Sequence, residues 1–315
     1  MTNETVPIST DVEIAVTRLR SGGLVALPTE TVYGLAADLE RPDAIARIYD
    51  VKGRPEGHPL IVHVASAEEV SRWAKLDDAA SQRLASNCWP GPLTLLLPKR
   101  SSVPEIVTGG RTTVGIRVPA HPLALALLNA HGGAVAAPSA NRFGHVSPTT
   151  VDHVVRDLGT RLDPKRDLIL DGGPSAIGVE STIVDMTCDP PQVLRPGGIA
   201  PDDINELRGM STASASGPSR AAGMMASHYA PRTPVLLVER TEDIGERVGH
   251  RTVFIIDRTT NLVESAHHLY DDLRRADDAG VDCIVAVLPP AEGLGYAIRD
   301  RLMKAAADTP RHLHD

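Results

Sequence analysis

The chain has 315 residues, a formal net charge of −8 and 42% hydrophobic residues, of which few are aromatic. This length predicts one large or two medium domains, and the apolar content is sufficient for a sizeable core built mainly from aliphatic side chains. The acidic balance argues against a general nucleic-acid or membrane-surface binder, although lysine and arginine cluster at 47–54 and 111–117 and leave room for a local basic groove.

Cysteine usage and the N-terminus both indicate a cytoplasmic protein. Cys88, Cys188 and Cys283 are far apart and form no Cys-x-x-Cys pair, which predicts a reduced chain without a zinc ribbon. The N-terminus is polar, and no apolar run approaches the ~20 residues of a membrane span. We therefore expect a cytoplasmic location and no membrane partner.

Short apolar runs alternate unevenly with amphipathic segments over the first 195 residues. The predicted elements are a helix capped by Thr10 or Asp11 and ending near Arg20, strand 24–27, a helix from Pro42, strand 60–64, two short helices within 67–87, strand 93–97, an irregular loop 103–111, strand 112–118, helix 122–131, strand 134–137, a helix from Thr149 or Thr150 to Leu158, and strands 167–171, 181–186 and 192–195. This uneven alternation predicts a twisted mixed α/β sheet.

The composition changes after Arg195, where a Ser/Ala/Gly-rich stretch predicts a linker. Beyond it, strands near 235–238, 253–256 and 283–288 alternate with helical segments, which predicts a small Rossmann-like α/β domain. The predicted organisation is a main domain at 1–200, a linker or lid at 201–234 and a small domain at 235–315.

The stretch from Pro28 to Val64 concentrates polar groups around two predicted strand ends. Thr29 and Thr31 follow the first strand, residues 52–55 form a basic loop stiffened by glycine and proline, and His63 lies in the second strand. This combination suits a small anionic ligand, and cations of the loop are suited to the phosphates of a nucleotide. No GxxxxGK[ST] motif occurs, so the site is not of the P-loop type.

Four residues admit both a structural and a functional interpretation. Arg117 ends a predicted strand, where its planar fork suits an amino-acid carboxylate or pairs with a surface acid. Ser139 and Asn141 lie in a turn after a strand. Serine and asparagine are also common in turns because their side chains form hydrogen bonds with the nearby backbone. On sequence alone, His63 is more simply a core histidine bound to a backbone carbonyl.

Several segments resemble one family when they are read in chain order. They are PTETVYGL, KGRP, PLIVHV, WPGPLTLLL, GIRVP, APSAN, SPT, GVESTIVD and LRPG. Together they resemble the YrdC-type threonylcarbamoyl-AMP synthase family over residues 10–200, and HYAP with the C-terminal part resembles its long form with an extra domain. The resemblance implies the YrdC-like mixed sheet and a catalytic domain at 1–200.

The resemblance also implies the reaction. L-Threonine, bicarbonate and ATP, with Mg²⁺ accompanying the ATP, would give threonylcarbamoyl-AMP and pyrophosphate. The product would pass to a tRNA threonylcarbamoyl transferase complex, and any contact of this chain with tRNA is expected to be weak.

Site residues follow from the matched motifs. The resemblance assigns catalysis to Lys52 and Arg54, L-threonine binding to Thr31, His63, Arg117, Ala137 and Ser181, and ATP binding to Lys52, Arg54, His58, Thr113, Ser139, Asn141, Ser147, Arg195 and Tyr229. Tyr229 would cover the nucleotide, and a lone aromatic in such a segment is not expected in a core.

Two positions depart from the family's usual pattern. His58 stands where asparagine is frequent, and Phe143 stands where a serine precedes Ser-Pro-Thr, so no contact is assigned to Phe143. Glu30 and Glu180 are the acids closest to the motifs, and we expect them to neutralise Lys52 or Arg54, or to hold Mg²⁺. No general base is assigned.

Two alternatives remain open at this point. An RNA-binding module would use a basic concave face, but the net charge and the scarcity of aromatic residues argue against it. Another carbamoyl-adenylate-forming enzyme, such as the hydrogenase-maturation protein with a YrdC-like domain, would need paired cysteines for zinc modules, which this chain lacks.

Overall fold

The computed structural model describes residues 5–209, 211–215, 220–221, 223, 228–307 and 309. Its strands are β1 Ile8–Ser9, β2 Val25–Leu27, β3 Gly34–Asp38, β4 Ile61–His63, β5 Leu93–Pro98, β6 Thr113–Arg117, β7 Val135–Ala136, β8 Leu168–Leu170, β9 Thr182–Asp185, β10 Gln192–Arg195, β11 Ala213–Ser214, β12 Val235–Val238, β13 Val253–Ile256 and β14 Cys283–Val287. Its α-helices are α1 Val12–Arg20, α2 Pro42–Lys52, α3 Ala79–Cys88, α4 Glu105–Thr108, α5 Pro122–His131, α6 Val151–Leu158, α7 Pro201–Arg208, α8 Ile244–Val248, α9 Leu262–Ala279 and α10 Gly295–Ala306. Single-turn 3-10 helices lie at Glu68–Arg72 and Thr241–Asp243.

The strands form two sheets. The larger sheet has 11 strands in the order β1-β8-β2-β3-β7-β4-β6-β5-β9-β10-β11 and mixes parallel with antiparallel pairs. The smaller has the order β12-β14-β13, and both of its pairs are parallel. The predicted fold class, a mixed α/β sheet with a small α/β sheet after it, is confirmed.

The register of two central strands brings two predicted site residues together. The neighbouring strands β4 and β6 are parallel, and His63 lies opposite Arg117, each as the last residue of its strand. Because opposed residues project to the same face of a sheet, the imidazole and the guanidinium share one face.

Helix α2 delivers the basic loop to the same region. Pro42 begins the helix, at a position where its fixed φ is favourable and its missing N–H costs no hydrogen bond. Gly53 ends it in the left-handed conformation with φ of 63°, which glycine adopts without strain. The chain therefore turns sharply between Lys52 and Arg54, where the helix meets the basic loop.

The C-terminal part shares a core with the main sheet's loops. One buried cluster combines Val32, Val146 and Val179 with side chains of α9, α10 and the smaller sheet. Tyr229 belongs to this cluster and is only 1% exposed, so the expectation that it lies outside any core is wrong.

Three local predictions differ from the structure. The segment 34–38, where no strand was predicted, is strand β3, and the predicted loop 103–111 contains the short helix α4. The predicted linker contains α7, whose start is favoured by Pro201 and two acidic residues in the first turn, and the two-residue strand β11. Residues 210, 216–219, 222 and 224–227 of that linker lie outside the described residues. The boundaries of the two domains stay a prediction.

The described part of the chain contains no helix with the length and apolar character needed to cross a bilayer. All three cysteines are free thiols.

A buried carboxylate ties three segments of the main domain together. Asp167, which is 0% exposed, accepts two hydrogen bonds from the Arg47 guanidinium at 2.9 and 2.8 Å. It also accepts from the backbone N–H groups of Leu24 and Asp163, both at 2.8 Å. This carboxylate therefore has every partner a buried anion needs.

We predict that Asp167→Asn lowers the free energy of unfolding by about 3 kcal/mol, because it leaves the Arg47 guanidinium partly buried without its counter-charge. Urea denaturation measures the change. Asp43→Asn, which breaks an exposed ion pair with Arg41, is the control and should change the midpoint little. Equal shifts in the two variants would contradict the prediction.

Candidate active site

A single cavity collects most of the predicted site residues. It is lined by Thr29, Thr31, Val32, Gly34, Arg54, Ile61, His63, Arg117, Ala137, Pro138, Ser139, Glu180, Ser181, Arg195, Gly223, His228 and Tyr229. All five residues assigned to L-threonine are on this wall, as are four of those assigned to ATP: Arg54, Ser139, Arg195 and Tyr229. Guanidinium groups and hydroxyls from distant parts of the chain therefore face one space.

Lys52 is close to this cavity but is not on its wall. The Nζ atom is buried and donates to the carbonyl oxygens of Ser139, at 2.6 Å, and of Asn141. Burial lowers the pKa of this lysine well below its usual value, and the neighbouring Arg54 lowers it further. Lys52 thus holds the turn that carries Ser139, and no carboxylate of the described residues is bound to its ammonium.

Asn141 also faces away from the cavity wall. Its side-chain amide donates to the carbonyl of His145 at 2.6 Å, inside the same turn. The predicted contact of Asn141 with ATP therefore stays a prediction, while its support of the turn is visible.

His58 and Phe143, the two positions that depart from the family pattern, contact each other. Their rings lie 5.4 Å apart in an edge arrangement, and Phe143 makes a similar contact with His228 at 6.0 Å. The Arg54 guanidinium lies 5.4 Å from the centre of the Phe143 ring. Burial and Arg54 lower the pKa of His58. Phe143 therefore joins the basic loop to the segment that carries Tyr229.

Thr113 and Ser147 lie outside the main cavity. Thr113 lines a small neighbouring recess together with Ile61 and Thr94. Ser147 is buried and donates a hydrogen bond to the Glu180 carboxylate, which does face the cavity. Ser147 is thus placed to act on the cavity through Glu180.

Arg117 and Glu30 form a buried pair at one end of the cavity. The Arg117 Nη2 atom donates to Glu30 Oε1 at 2.7 Å, and Nε donates to the Gly91 carbonyl at 3.3 Å. The other Glu30 oxygen accepts from the backbone N–H of Ala120 at 3.0 Å. The expectation that Glu30 pairs with Lys52 or Arg54 is therefore wrong, because its partner is Arg117.

The hydrogen bonding of His63 defines what its ring can do. Its Nδ1 atom is 3.3 Å from the Ile61 carbonyl oxygen, which can only accept, so Nδ1 carries the proton. Burial and the nearby Arg117 lower the pKa of His63 to about 3, so the ring is neutral at pH 7. Nε2 is consequently a hydrogen-bond acceptor. The ring bonds a backbone carbonyl and also lines the cavity, and its contact with threonine stays a prediction.

Arg195 lies against Ser181 and is buried. Its Nε and Nη2 atoms donate to the Ser181 carbonyl at 3.1 and 2.9 Å, and Nη2 also donates to the Ser181 hydroxyl at 3.1 Å. The same hydroxyl is 2.7 Å from that of Thr94. This set fixes the guanidinium at the cavity wall.

Glu180 is paired with an arginine that the sequence analysis missed. Arg301 donates from Nε to Glu180 Oε2 at 2.7 Å, and the Tyr270 hydroxyl donates to the same oxygen at 2.8 Å. Burial opposes the charged carboxylate, but Arg301 and Arg195 outweigh that effect and lower the pKa of Glu180 to about 2. The expected pairing with Lys52 or Arg54 is wrong. A signal for Arg301 existed, since it stands among the apolar positions of α10.

Among the residues that the structure describes, no group of three or more histidine, cysteine, aspartate or glutamate side chains is arranged to hold a metal ion. The two acids nearest the motifs, Glu30 and Glu180, are both already bound by arginines. The donor set therefore does not fit a resident metal centre.

Comparison with known families covers nearly the whole chain. Residues 17–197 match the Sua5–YciO–YrdC family model, which is described as "Telomere recombination". Residues 199–307 match the model described as the C-terminal domain of threonylcarbamoyl-AMP synthase.

Two relatives are similar over most of their length. The threonylcarbamoyl-AMP synthase of Pyrococcus abyssi is 40% identical, and the match covers 94% of each chain. The threonylcarbamoyl-AMP synthase of Bacillus subtilis is 41% identical over 91% of this chain and 90% of that protein.

Solved structures agree with these matches. P. abyssi Sua5 in complex with L-threonine superposes with a TM-score of 0.89 at 38% identity, covering 96% of this chain and 97% of that one. Full-length HypF in a phosphate- and nucleotide-bound form gives a TM-score of 0.53 at 18% identity over 29% of its own chain, which shows a shared fold alone.

Proposed function

The chain belongs to the Sua5–YciO–YrdC family, and from this membership we propose that it joins L-threonine, bicarbonate and ATP into threonylcarbamoyl-AMP and releases pyrophosphate. The observation that carries the proposal is the convergence of Arg54, Arg117 and Arg195 with threonine and serine hydroxyls on one cavity. The name and threonine complex of the P. abyssi relative support the same substrate.

The proposed chemistry needs positive charge and positioning. The threonine amine takes up carbon dioxide from bicarbonate as a carbamate, and the amine proton leaves with the hydroxide of bicarbonate as water. A carbamate oxygen then attacks the α-phosphorus of ATP, and the bond to the β-phosphate oxygen breaks to release pyrophosphate. Both reactants are anions, so fixed cations lower the barrier by offsetting their repulsion, and no protein nucleophile is needed.

At one end of the cavity, Arg117 is proposed to bind the threonine carboxylate, for which its planar fork is suited. The Nε2 atom of His63 can accept a hydrogen bond from the threonine amine or hydroxyl, because the opposite ring nitrogen carries the proton. Thr31, Ala137 and Ser181, which line the same cavity, are proposed to contact threonine as well.

At the other end, Arg54 and Arg195 are proposed to bind ATP phosphates, and Lys52 to hold Ser139 toward them through the turn. Contacts of His58, Thr113, Asn141 and Ser147 with the nucleotide belong to the same proposal. Because Glu30 and Glu180 are already paired, Mg²⁺ enters with ATP as a substrate complex and is held mainly by phosphate oxygens.

A carbamoyl-adenylate is easily lost to water, so covering the cavity has a chemical purpose. His228 and Tyr229 are buried and contribute to its wall. We propose that the product then passes in the cytoplasm to a transferase that modifies adenosine in tRNA.

The product itself is the test. The chain is incubated with ATP, Mg²⁺, L-threonine and ¹³C-bicarbonate, and the mixture is analysed by mass spectrometry. We expect threonylcarbamoyl-AMP that carries the label, together with pyrophosphate, and neither compound when threonine or Mg²⁺ is left out. Absence of the labelled adduct in the complete mixture would contradict the proposal, and salt-dependent binding of duplex RNA without ATP turnover would favour the RNA-binding alternative.

A further inference from the structure

The C-terminal helix α10 places one arginine in the interior, next to the candidate active site. Arg301 is 0% exposed, and its Nε atom donates to the cavity-lining Glu180 at 2.7 Å. Its Nη1 atom donates to Asp300, whereas its Nη2 atom is buried and has no hydrogen-bond partner among the described residues. A guanidinium so placed costs desolvation energy, which the Glu180 carboxylate offsets.

Glu180 links both parts of the chain. One oxygen accepts from Ser147, which precedes α6, and the other accepts from Arg301 and from Tyr270 of α9. Glu180 immediately precedes Ser181, which lies on the cavity wall in contact with Arg195. The Glu180 carboxylate is therefore held by both parts of the chain, and its charge interacts with Arg195 on the wall.

The same arginine also lies against Tyr229. Its guanidinium carbon is 5.0 Å from the centre of the Tyr229 ring, which stacks on Tyr270 at 5.9 Å with an interplanar angle of 24°. Tyr229 has φ of 63° and is the one non-glycine residue with positive φ in the described part of the chain. Such a backbone persists only where its surroundings hold it, and here Arg301 and Tyr270 do so from the C-terminal side.

The electrostatic consequence concerns the nucleotide. An unpaired carboxylate on the wall would repel the phosphates of ATP, and the low dielectric of a buried site would strengthen that repulsion. Arg301 contributes the opposite charge from outside the cavity, since it does not line the wall itself.

We propose that Arg301 is a positioning residue for the nucleotide end of the active site: it neutralises Glu180 and holds the Tyr229 ring in place. This inference rests on the proposed function, since it takes ATP as the ligand of that end. It gives the C-terminal part a defined task within the catalytic site, namely to supply the counter-charge of one of its acids.

The test separates this role from simple structural support. Binding of Mg·ATP and of L-threonine is measured by titration calorimetry on the full chain in bicarbonate-free buffer, for wild type, Arg301→Met, Arg301→Lys and the double variant E180Q/R301M. Arg299→Met is the matched control, because Arg299 lies on the same helix but pairs with Glu239 near the surface. Thermal unfolding is recorded for each variant, and titrations use only the folded fraction.

Arg301→Met should weaken ATP binding by about tenfold, while the threonine dissociation constant stays within about twofold. E180Q/R301M should recover the part of the loss that the unpaired negative charge causes, while the part caused by the lost support of the Tyr229 ring remains. Arg301→Lys should fall between wild type and Arg301→Met because it keeps the charge without the planar fork. Arg299→Met should bind both ligands as the wild type does.

Two results would overturn the inference. In one, Arg301→Met and E180Q/R301M bind ATP with the wild-type constant. In the other, ATP and threonine binding weaken in parallel in every Arg301 variant, as loss of structure alone would produce. Binding is measured without turnover, so the two proposals can fail separately. A chain that binds ATP but makes no threonylcarbamoyl-AMP contradicts the proposed function, and the binding constants of the Arg301 variants still decide the role of Arg301.

Discussion

Replacing Arg117 with methionine should lower kcat/KM for threonine-dependent pyrophosphate release by at least about a hundredfold, since a charge-assisted hydrogen-bonding partner is lost from a buried site. The effect has two causes. The fork that we assign to the threonine carboxylate is removed, and Glu30 is left buried without its arginine, where it repels the incoming carboxylate. Initial rates of pyrophosphate release at increasing threonine concentrations measure the change.

Arg117→Lys and Arg41→Met make this experiment specific. The lysine keeps the positive charge near Glu30 but cannot form the two parallel bonds of a guanidinium, so activity should be intermediate. Arg41 forms an exposed pair with Asp43, and its replacement should leave the rate unchanged. A folded Arg117→Met variant with the wild-type threonine dependence would refute the assignment of this residue.

Replacing Lys52 with methionine should lower kcat/KM by a similar factor. It should also abolish the proton uptake that accompanies ATP binding. Burial and Arg54 lower the pKa of Lys52 well below its usual value in the empty protein. Under the proposed assignment, the phosphates of ATP bind near Lys52 and favour its charged ammonium, so nucleotide binding should raise that pKa again. Between the lowered pKa and the raised pKa of Lys52, ATP binding therefore takes up a proton, and ATP affinity falls as the pH rises through this window.

Calorimetric titration with Mg·ATP in buffers of different ionisation enthalpy measures this proton uptake. We expect proton uptake in the wild type and in the control Lys75→Met, whose lysine is exposed. In Lys52→Met this proton uptake should be absent, and turnover should be at least about a hundredfold lower. If Lys52→Met takes up as many protons as the wild type, Lys52 is not the group that senses the phosphates.

Local signals predicted those elements whose ends are fixed by their own residues. Helix α5 begins at Pro122 and ends at Gly132 in the left-handed conformation, and the predicted range 122–131 is confirmed. Strand β3 was not predictable in this way, because the sequence Gly-Leu-Ala-Ala-Asp has no β-branched residue. Its extended conformation comes from pairing with β2 and β7, and the residues next to it in the sequence do not predict that pairing.

The same limit applies to the site. Motif residues such as Arg117 and Arg195 could be placed in one pocket because each stands in a recognisable segment. The partners of the acids could not be predicted, since Glu30 pairs with a residue 87 positions away and Glu180 with one 121 positions away. Such pairs depend on how the sheets and helices pack. On sequence alone, several lysines and arginines are equally possible partners for each acid.

The shared apolar cluster around Val32, Val146 and Val179 has a consequence for protein engineering. A shortened version that ends after the larger sheet would present three valines to water where α9 and α10 now cover them, and it would tend to self-associate. A designer who wants a minimal version of this chain would have to redesign that face with polar side chains and supply a new counter-ion for Glu180.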